Sequence, residues 1–515
     1  MGALRIACVQ MHAREAENFG TTAEEILSLM DDAARTGADL IVFPEASYPA
    51  YYVGPGRERA KALVAGAPKF LESVSRKARA LGVYAAVGAL FPEEDGTISN
   101  SAFLYDSSGA LLLHVRKSNM WHFDSRYVRR GREYSVVRTP LGSIAMMVCA
   151  DGRAPEIPRI LALKGADVIL DLANLTTSGK RRETLSNPQI DYMLPSRARE
   201  NAVWLVVADK VGLEAKSVLN CGSSRIIDPW GKTVASLNPF EESIVYASVD
   251  LSLPRPELPK RFPERYALIS AAKRRASPSG FSADREIFCG VIQFSFDTLE
   301  AYVGKAASFL ETAQDQGYSV ICLPPLHDGL SLSDAEERVR PHIRTGRMIV
   351  LGGPGASGTR EIVFLSADGA EVRCAGRGAI RAYDTSCLRI GTMTDGEGFT
   401  PEVARCLMAD GVEVVFWYDW GHDPAAEMIA RTRAAENKVY VIRCASVSNA
   451  DASCIVAPTG VIAASTLPGE DQISGAMLTP FLTSLKTVVP GTNVYEDRFP
   501  EDYEYLVSQE HGHTK

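Results

Sequence analysis

Ten cysteines are spread over 515 residues, yet no two are spaced C-x-x-C, so neither a zinc ribbon nor a disulfide framework is expected. No apolar stretch reaches about 18 residues, the length a membrane-crossing helix needs. The chain also lacks a positive balance. Lys and Arg number 55 against 63 Asp and Glu, a net charge of −8, which disfavours nucleic acid or an anionic membrane as the main partner. Nor is there a leader pattern: Met1-Gly2-Ala3-Leu4-Arg5-Ile6 runs straight into a strand, so no secretory signal is read and a reducing cytoplasm is the expected compartment. What is present is globular in composition, and 515 residues exceed one ordinary core, so two or three domains are expected.

The most informative stretch is Met146-Met147-Val148-Cys149-Ala150-Asp151-Gly152-Arg153-Ala154-Pro155-Glu156. Residues 143–148 form a short apolar run bounded by Pro140 and Gly142, the pattern of a buried strand. Helical spacing follows, with Pro155 suited to a first turn. Cys149 thus falls on a strand-to-helix turn, where backbone N–H groups favour negative charge. Glu45 and Lys117 stand in similar places, each closing an apolar run, and strand ends are where α/β sheets gather their chemistry. Taken singly, each has a plainer reading. Most cysteines are small core residues, a strand-end Glu caps into solvent, and a Lys sits on the surface. Together they offer a nucleophile, a base and a cation, which a thiol of ordinary pKa (about 8.5) needs to react as thiolate.

Along the first half, strands are expected at 4–10, 38–43, 83–90, 143–148, 168–172, 203–208 and 244–249. Helices are expected at 22–36, 66–81, 156–163 and 196–201, the first capped by Thr21 or Thr22 and stopped at Gly37. A hairpin joins 103–106 to 110–116 across Ser107-Ser108-Gly109. This mixture indicates a layered α/β fold rather than a bundle or barrel.

Phe43-Pro44-Glu45, Arg116-Lys117 with Trp121-His122-Phe123, and Cys149-Ala150-Asp151-Gly152-Arg153-Ala154-Pro155-Glu156 resemble, in order and strand context, the three motifs of the nitrilase, or carbon–nitrogen hydrolase, superfamily. The resemblance implies a four-layer α-β-β-α sandwich, with Glu45 as general base, Lys117 as oxyanion stabiliser and Cys149 as nucleophile. It implies no metal and no organic cofactor. Asp124 falls in a supporting acidic slot, seven residues before Gly131, where many members carry the longer Glu. Arg153 matches an arginine that holds the substrate carboxylate in N-carbamoyl-amino-acid amidohydrolases, a task suited to its planar fork. Those enzymes often carry a second arginine just before it, where this chain has Gly152. His122 and Asn174 are further substrate-contact candidates, His122 being equally readable as a packed or solvated residue.

From about Glu286 the pattern begins again. Val291-Ile292-Gln293 repeats Cys8-Val9-Gln10, and residues 319–325 repeat 39–45, which sets Pro325 where Glu45 stands. Gly369-Ala370 repeats Gly109-Ala110, and counting on sets Arg377 opposite Lys117. Over 143–172 the copy aligns without a gap, with Arg159 on Arg405, Gly165 on Gly411 and Cys149 on Asp395. Arg261-Phe262-Pro263-Glu264-Arg265-Tyr266, similar to an arginine-proline-tyrosine segment trailing many of these hydrolases, recurs as Arg498-Phe499-Pro500-Glu501-Asp502-Tyr503. The expected organisation is two tandem nitrilase-like α-β-β-α sandwiches: a catalytic domain at 1–250, a linker or extension at 251–285, a degenerate copy at 286–480 and a tail at 481–515. Members of the family pair through their helices, so the copy is expected to supply that face in cis, an internal pseudo-dimer from which a homo-oligomer is built.

The expected activity is hydrolysis of a non-peptide carbon–nitrogen bond, a linear amide or an N-carbamoyl group of a small carboxylate-bearing substrate, through a cysteine thioester with release of ammonia. The partner is a small-molecule substrate, with no nucleic acid and no membrane. A nitrilase acting on C≡N would use the same three residues, and acyl transfer to an amine is a further alternative. From another class comes a non-enzymatic scaffold, against which the intact set at 45, 117 and 149 speaks.

Overall fold

The computed structural model describes residues 3–177, 185–273, 284–355, 358–446 and 452–508. The basic, proline- and glycine-containing stretch 274–282 of the expected linker lies outside the described residues. Contacts divide the chain into two compact units, Met1–Leu258 with Thr487–Asn493, and Pro259–Lys486 with Val494–Gly512. No helix among the described residues is long and apolar enough to cross a membrane.

In the first unit, strand Leu4–His12 lies parallel to Leu40–Val42 and antiparallel to Ser243–Val249. The sheet continues through Tyr84–Pro92, Ile98–Tyr105 and Leu111–Arg116. A second sheet centres on Gly142–Val148, Val168–Leu172 and Trp204–Ala208, all parallel. Side chains alternate between faces. Ala7, Val9, Phe43 and Val87 pack with Ile26, Met30, Phe70 and Val74 of helices Phe19–Arg35 and Ala67–Leu81. From the opposite face, the Cys8 thiol donates to the Val207 carbonyl of the second sheet at 3.2 Å. Helices Glu156–Leu163 and Leu194–Asn201 cover the second sheet's outer face, which completes the α-β-β-α order. Central parallel strands covered on both faces read as unbroken apolar runs, which is why 168–172 was legible.

The second unit repeats these layers. Cys289, Val291 and Phe364 of one sheet meet Ile390, Phe416 and Ile442 of the other, while Ile292, Leu323 and Leu351 face helices Leu299–Asp315 and Leu332–Val339. Register is kept as well: Met147 lies opposite Asp171, and Met393 opposite Trp417. Gln10 Oε1 accepts from Ser224 N, and Gln293 Oε1 accepts from Ser453 N. In the segment that begins the second unit, Arg261 pairs with Glu402 at 2.9 Å. There Phe262 N donates to the Tyr266 hydroxyl, a bond that recurs from Phe499 N to Tyr503.

Some expectations shift. The first helix starts at Phe19, ahead of the expected threonine cap, because the Thr22 hydroxyl donates back to the Asn18 carbonyl instead of capping. Helix Arg57–Val64 and the hairpin Lys210–Glu214 with Val218–Cys221 were not read from the sequence. The lysine's counterpart moves by one residue. Lys117 N donates to Asn100 O, and it is Gly376 N that donates to Arg360 O, so Gly376 rather than Arg377 holds the matching place. The cause is a shorter turn: Asp106 N reaches Ala110 O in the first unit, whereas Ser366 pairs directly with Gly369 in the second.

Candidate active site

Glu45, Lys117 and Asp124 form one buried chain of contacts. Glu45 Oε1 accepts from Lys117 Nζ at 2.7 Å and from Asn100 Nδ2 at 2.6 Å. Its Oε2 has no hydrogen-bond partner among the described residues. Lys117 Nζ also meets Asp124 Oδ2 at 2.7 Å. The shorter aspartate reaches because a turn folds it back, Asp124 N donating to Trp121 O while Oδ2 accepts from Trp121 N. Glu45 and Lys117 are 0% exposed and Asp124 1%. Two close approaches hold the strand ends. Glu45 N donates across to the carbonyl of Ala173, the residue just past strand Val168–Leu172. A Cβ on Gly88 would stand 2.3 Å from the Pro44 carbonyl oxygen, so only glycine lets that strand pass beneath the glutamate turn.

Cys149 follows strand Gly142–Val148 with φ of +51°, a left-handed conformation uncommon outside glycine. Its N–H donates to Asp171 Oδ1 at 2.9 Å, its carbonyl accepts from Gln189 Nε2 at 2.9 Å, and its Sγ lies 3.7 Å from the Asn174 carbonyl oxygen. Asp151 joins the two halves of the site. One oxygen accepts from Val148 N at 3.0 Å, and the other from Ser118 N at 3.0 Å and Asn119 N at 2.7 Å. A single carboxyl therefore fixes the cysteine turn against the loop that follows Lys117.

The electrostatics suit proton transfer. Burial raises the Glu45 carboxyl above its ordinary value, opposed by Lys117 and by the nearby Cys149 thiol. Burial works against a charge on Lys117, but Asp124 and Glu45 outweigh it and hold the ammonium well above its usual range. The Cys149 thiol is pushed up by burial and then by Glu45, with Lys117 acting the other way. Burial thus favours the thiol over the thiolate at Cys149, while its two carboxyl neighbours hold the charge on Lys117. Among the described residues, no cluster of His, Cys, Asp and Glu could hold a metal ion.

The remaining sequence candidates divide. Asn174 is 3% exposed, and neither atom of its side-chain amide has a hydrogen-bond partner among the described residues. The Arg153 guanidinium lies 5.1 Å from the Trp121 ring centroid. His122 is exposed, its ring edge-on to Phe123 and its N–H donating to the Thr492 hydroxyl at 2.9 Å. Thr492 thus fastens the loop between Lys117 and Asp124, and a Cβ on neighbouring Gly491 would stand 2.7 Å from the His122 carbonyl oxygen. Sequence reading missed Asn100, Gln189, and Lys210, whose buried Nζ donates to Ala46 O at 2.9 Å. Signals existed for two of them. Ser99-Asn100-Ser101 is a polar triplet running into the hairpin strand, and Asp209-Lys210 closes an apolar run as Glu45 does.

Comparison with known proteins places this geometry. The chain is 29% identical over 265 residues to "Omega-amidase NIT2" of Danio rerio, covering 49% of this chain and 90% of that protein. It is 26% identical over 263 residues to "Omega-amidase NIT2" of Homo sapiens, with coverage of 49% and 90%. An amidase from Nesterenkonia sp. of known structure aligns with a TM-score of 0.43 and 23% identity, over 48% of this chain and 90% of that one. The family model described as "Carbon-nitrogen hydrolase" matches residues 5–256 and 342–486. Those two segments make up more than half of the chain, and they carry the turns that present Glu45, Lys117 and Cys149: the chain belongs to the carbon-nitrogen hydrolase family.

Proposed function

We propose that the first unit hydrolyses a linear amide, or an N-carbamoyl group, of a small carboxylate-bearing substrate through a thioester on Cys149, releasing ammonia. The observation that carries this reading is the buried Glu45–Lys117 pair, with the glutamate's second oxygen unpartnered beside a buried thiol. Glu45 takes the Cys149 proton as sulfur attacks the carbonyl carbon. Lys117 and the Ala150 N–H hold the oxyanion. The carbon–nitrogen bond breaks as Glu45 passes its proton to the leaving nitrogen. Water then enters, gives a proton to Glu45 and attacks the thioester, and the thiol recovers its proton as the acid leaves.

Arg153 supports the carboxylate. Its guanidinium has no carboxylate partner among the described residues, and burial pushes its pKa down, a penalty that a substrate anion would offset. Relatives named omega-amidase favour the amide. The second unit, on this reading, is not catalytic. Pro325, Gly376 and Asp395 stand where base, lysine and nucleophile belong. Trp420, in the place of Asn174, donates from Nε1 to Leu326 O at 2.7 Å and lies 4.6 Å from Arg360. The Tyr418 hydroxyl, in the place of Leu172, lies 2.7 Å from the Val350 carbonyl oxygen.

Intact-mass analysis after iodoacetamide tests the reading, with wild type beside Glu45→Gln, Cys149→Ala and Asp395→Ala. Rapid labelling of Cys149 that slows in Glu45→Gln and persists in Asp395→Ala is expected. Labelling no faster than at the other nine cysteines would end the enzyme reading. Ammonia release is then measured over carboxylate-bearing amides, carbamoyl-amino acids and nitriles, carbon dioxide alongside ammonia marking a carbamoyl group. Arg153→Gln should raise KM by about 10- to 100-fold for carboxylate-bearing substrates and leave neutral amides unchanged. An equal effect on both would remove the carboxylate assignment.

A further inference from the structure

The geometry points to Asp171 as a positioning residue: its side chain accepts the Cys149 N–H at 2.9 Å and so ties the residue that carries the thiol to the neighbouring strand. The inference rests on the reading of Cys149 as nucleophile. Asp171 lies in strand Val168–Leu172, opposite Met147 and 0% exposed. Oδ1 accepts from Cys149 N at 2.9 Å, whereas Oδ2 has no partner among the described residues. A half-satisfied buried carboxyl destabilises a fold, and the strand's own backbone needs nothing from it, being paired on both sides. What the carboxyl does provide is the acceptor for the amide of a residue held at φ of +51°, whose carbonyl Gln189 secures from the other side.

The second unit supplies an internal control. Trp417 occupies the register position of Asp171 and reverses the polarity, its Nε1 donating to the Asp395 carbonyl at 2.9 Å. Where the nucleophile is gone, the acceptor for its amide is gone as well. The neutral form follows from the surroundings. Burial, together with Asp151, Glu45 and Asp209 facing the same space, pushes the Asp171 carboxyl well above its ordinary range, against the bond from Cys149 N. In that neutral form the unpartnered Oδ2 is the oxygen left to carry the proton.

The test is the rate of iodoacetamide labelling of Cys149 against pH in the full chain, by intact mass, with thermal melts of each variant. Asp171→Asn keeps the acceptor oxygen and should label within about threefold of wild type with the same pH midpoint, whereas Asp171→Leu should slow labelling on the order of 10²-fold at every pH without moving the midpoint. A midpoint moved to lower pH in Asp171→Asn would show a charged resting carboxylate and overturn the neutral bond. Wild-type labelling in Asp171→Leu would overturn the positioning role. If Asp171→Leu loses its cooperative melt, Asp171→Asn decides alone, an unchanged midpoint supporting the inference and a lowered one overturning it. Failure of the nucleophile reading looks different: wild-type Cys149 would label at the pace of the other cysteines and ignore Glu45→Gln.

Discussion

At Cys149 and at Asp395 the backbone turns the same way, with φ of +51° and +45°, although only one turn carries a thiol. A buried scaffold repeated in both units explains the shared shape. Arg197 Nε donates to Gly152 O at 3.0 Å and its Nη1 to Glu200 at 2.8 Å. Arg433 donates to Gly398 O at 2.9 Å and to Glu436 at 2.6 Å. Asn201 and Asn437 each donate back to the arginine's own carbonyl. Breaking a buried pair of this kind costs about 3–5 kcal/mol, so the arginine, glutamate and asparagine are constrained by stability in either unit. Glu45 and Lys117 form a buried pair too, but the second unit has lost both partners together, with Pro325 and Gly376 in their places. Fold and chemistry are therefore separable in this chain, residue by residue.

The sharpest way to break the comparison is to remove the part of the first unit that comes last in the sequence. Deleting residues 487–493 frees the His122 N–H and the loop between Lys117 and Asp124, and both Cys149 labelling and ammonia release should fall on the order of 10²-fold. Truncation after residue 285 should give insoluble or inactive protein. Wild-type rates in either would make the first unit self-sufficient.

A pH scan sharpens the contrast at the next level. Burial pushes the Asp151 carboxyl up to about 6, against the bonds from Asn119 N and Val148 N. Folding therefore favours the protonated form. That contribution is complete below the ordinary value near 3.8 and is lost as pH rises to about 6, some 3 kcal/mol in all. Denaturant unfolding of wild type and Asp151→Asn at pH 4 to 7 should show the wild type losing relative stability up to pH 6 and holding level above it. A flat difference would place Asp151 at an ordinary value. The residue in its place, Glu397, accepts from Thr394 N and pairs directly with Arg265 at 2.8 Å.

The smallest expected effect is none. Pro325→Glu, Gly376→Lys and Asp395→Cys combined, in a Cys149→Ala background, should release no ammonia, because Tyr418 and Trp420 still occupy the space. Measurable turnover would show that those aromatic rings leave room for a substrate.

Much of this was legible in the sequence, for a physical reason. Glu45, Lys117 and Cys149 each interrupt an apolar run at its end, so they stand out in one dimension. Asn100 and Asp171 act from within strands, where one face is core and the other is the site, and nothing local tells the two faces apart. Asp124 was placed by the family resemblance, but its reach depends on the turn at Trp121. The slip from Gly376 to Arg377 came from a turn one residue shorter, which a count from conserved-looking glycines cannot detect and a backbone hydrogen bond can. Nothing in the sequence marked Tyr418 and Trp420, which gain meaning only when Leu172 and Asn174 of the first unit are set beside them.

The contact between His122 and Thr492 bears on how the chain is made. Residues up to 258 leave the ribosome with their sheets complete, but Thr487–Asn493, which belongs with them, is still untranslated. At about 5–20 residues per second, that segment follows roughly 10 to 50 seconds later. During that interval the nascent first unit holds Glu45, Lys117 and Cys149 without the tie on the loop between Lys117 and Asp124. The fastened site thus waits for residues 487–493 to be made, and chains abandoned before them carry a loop that was never tied.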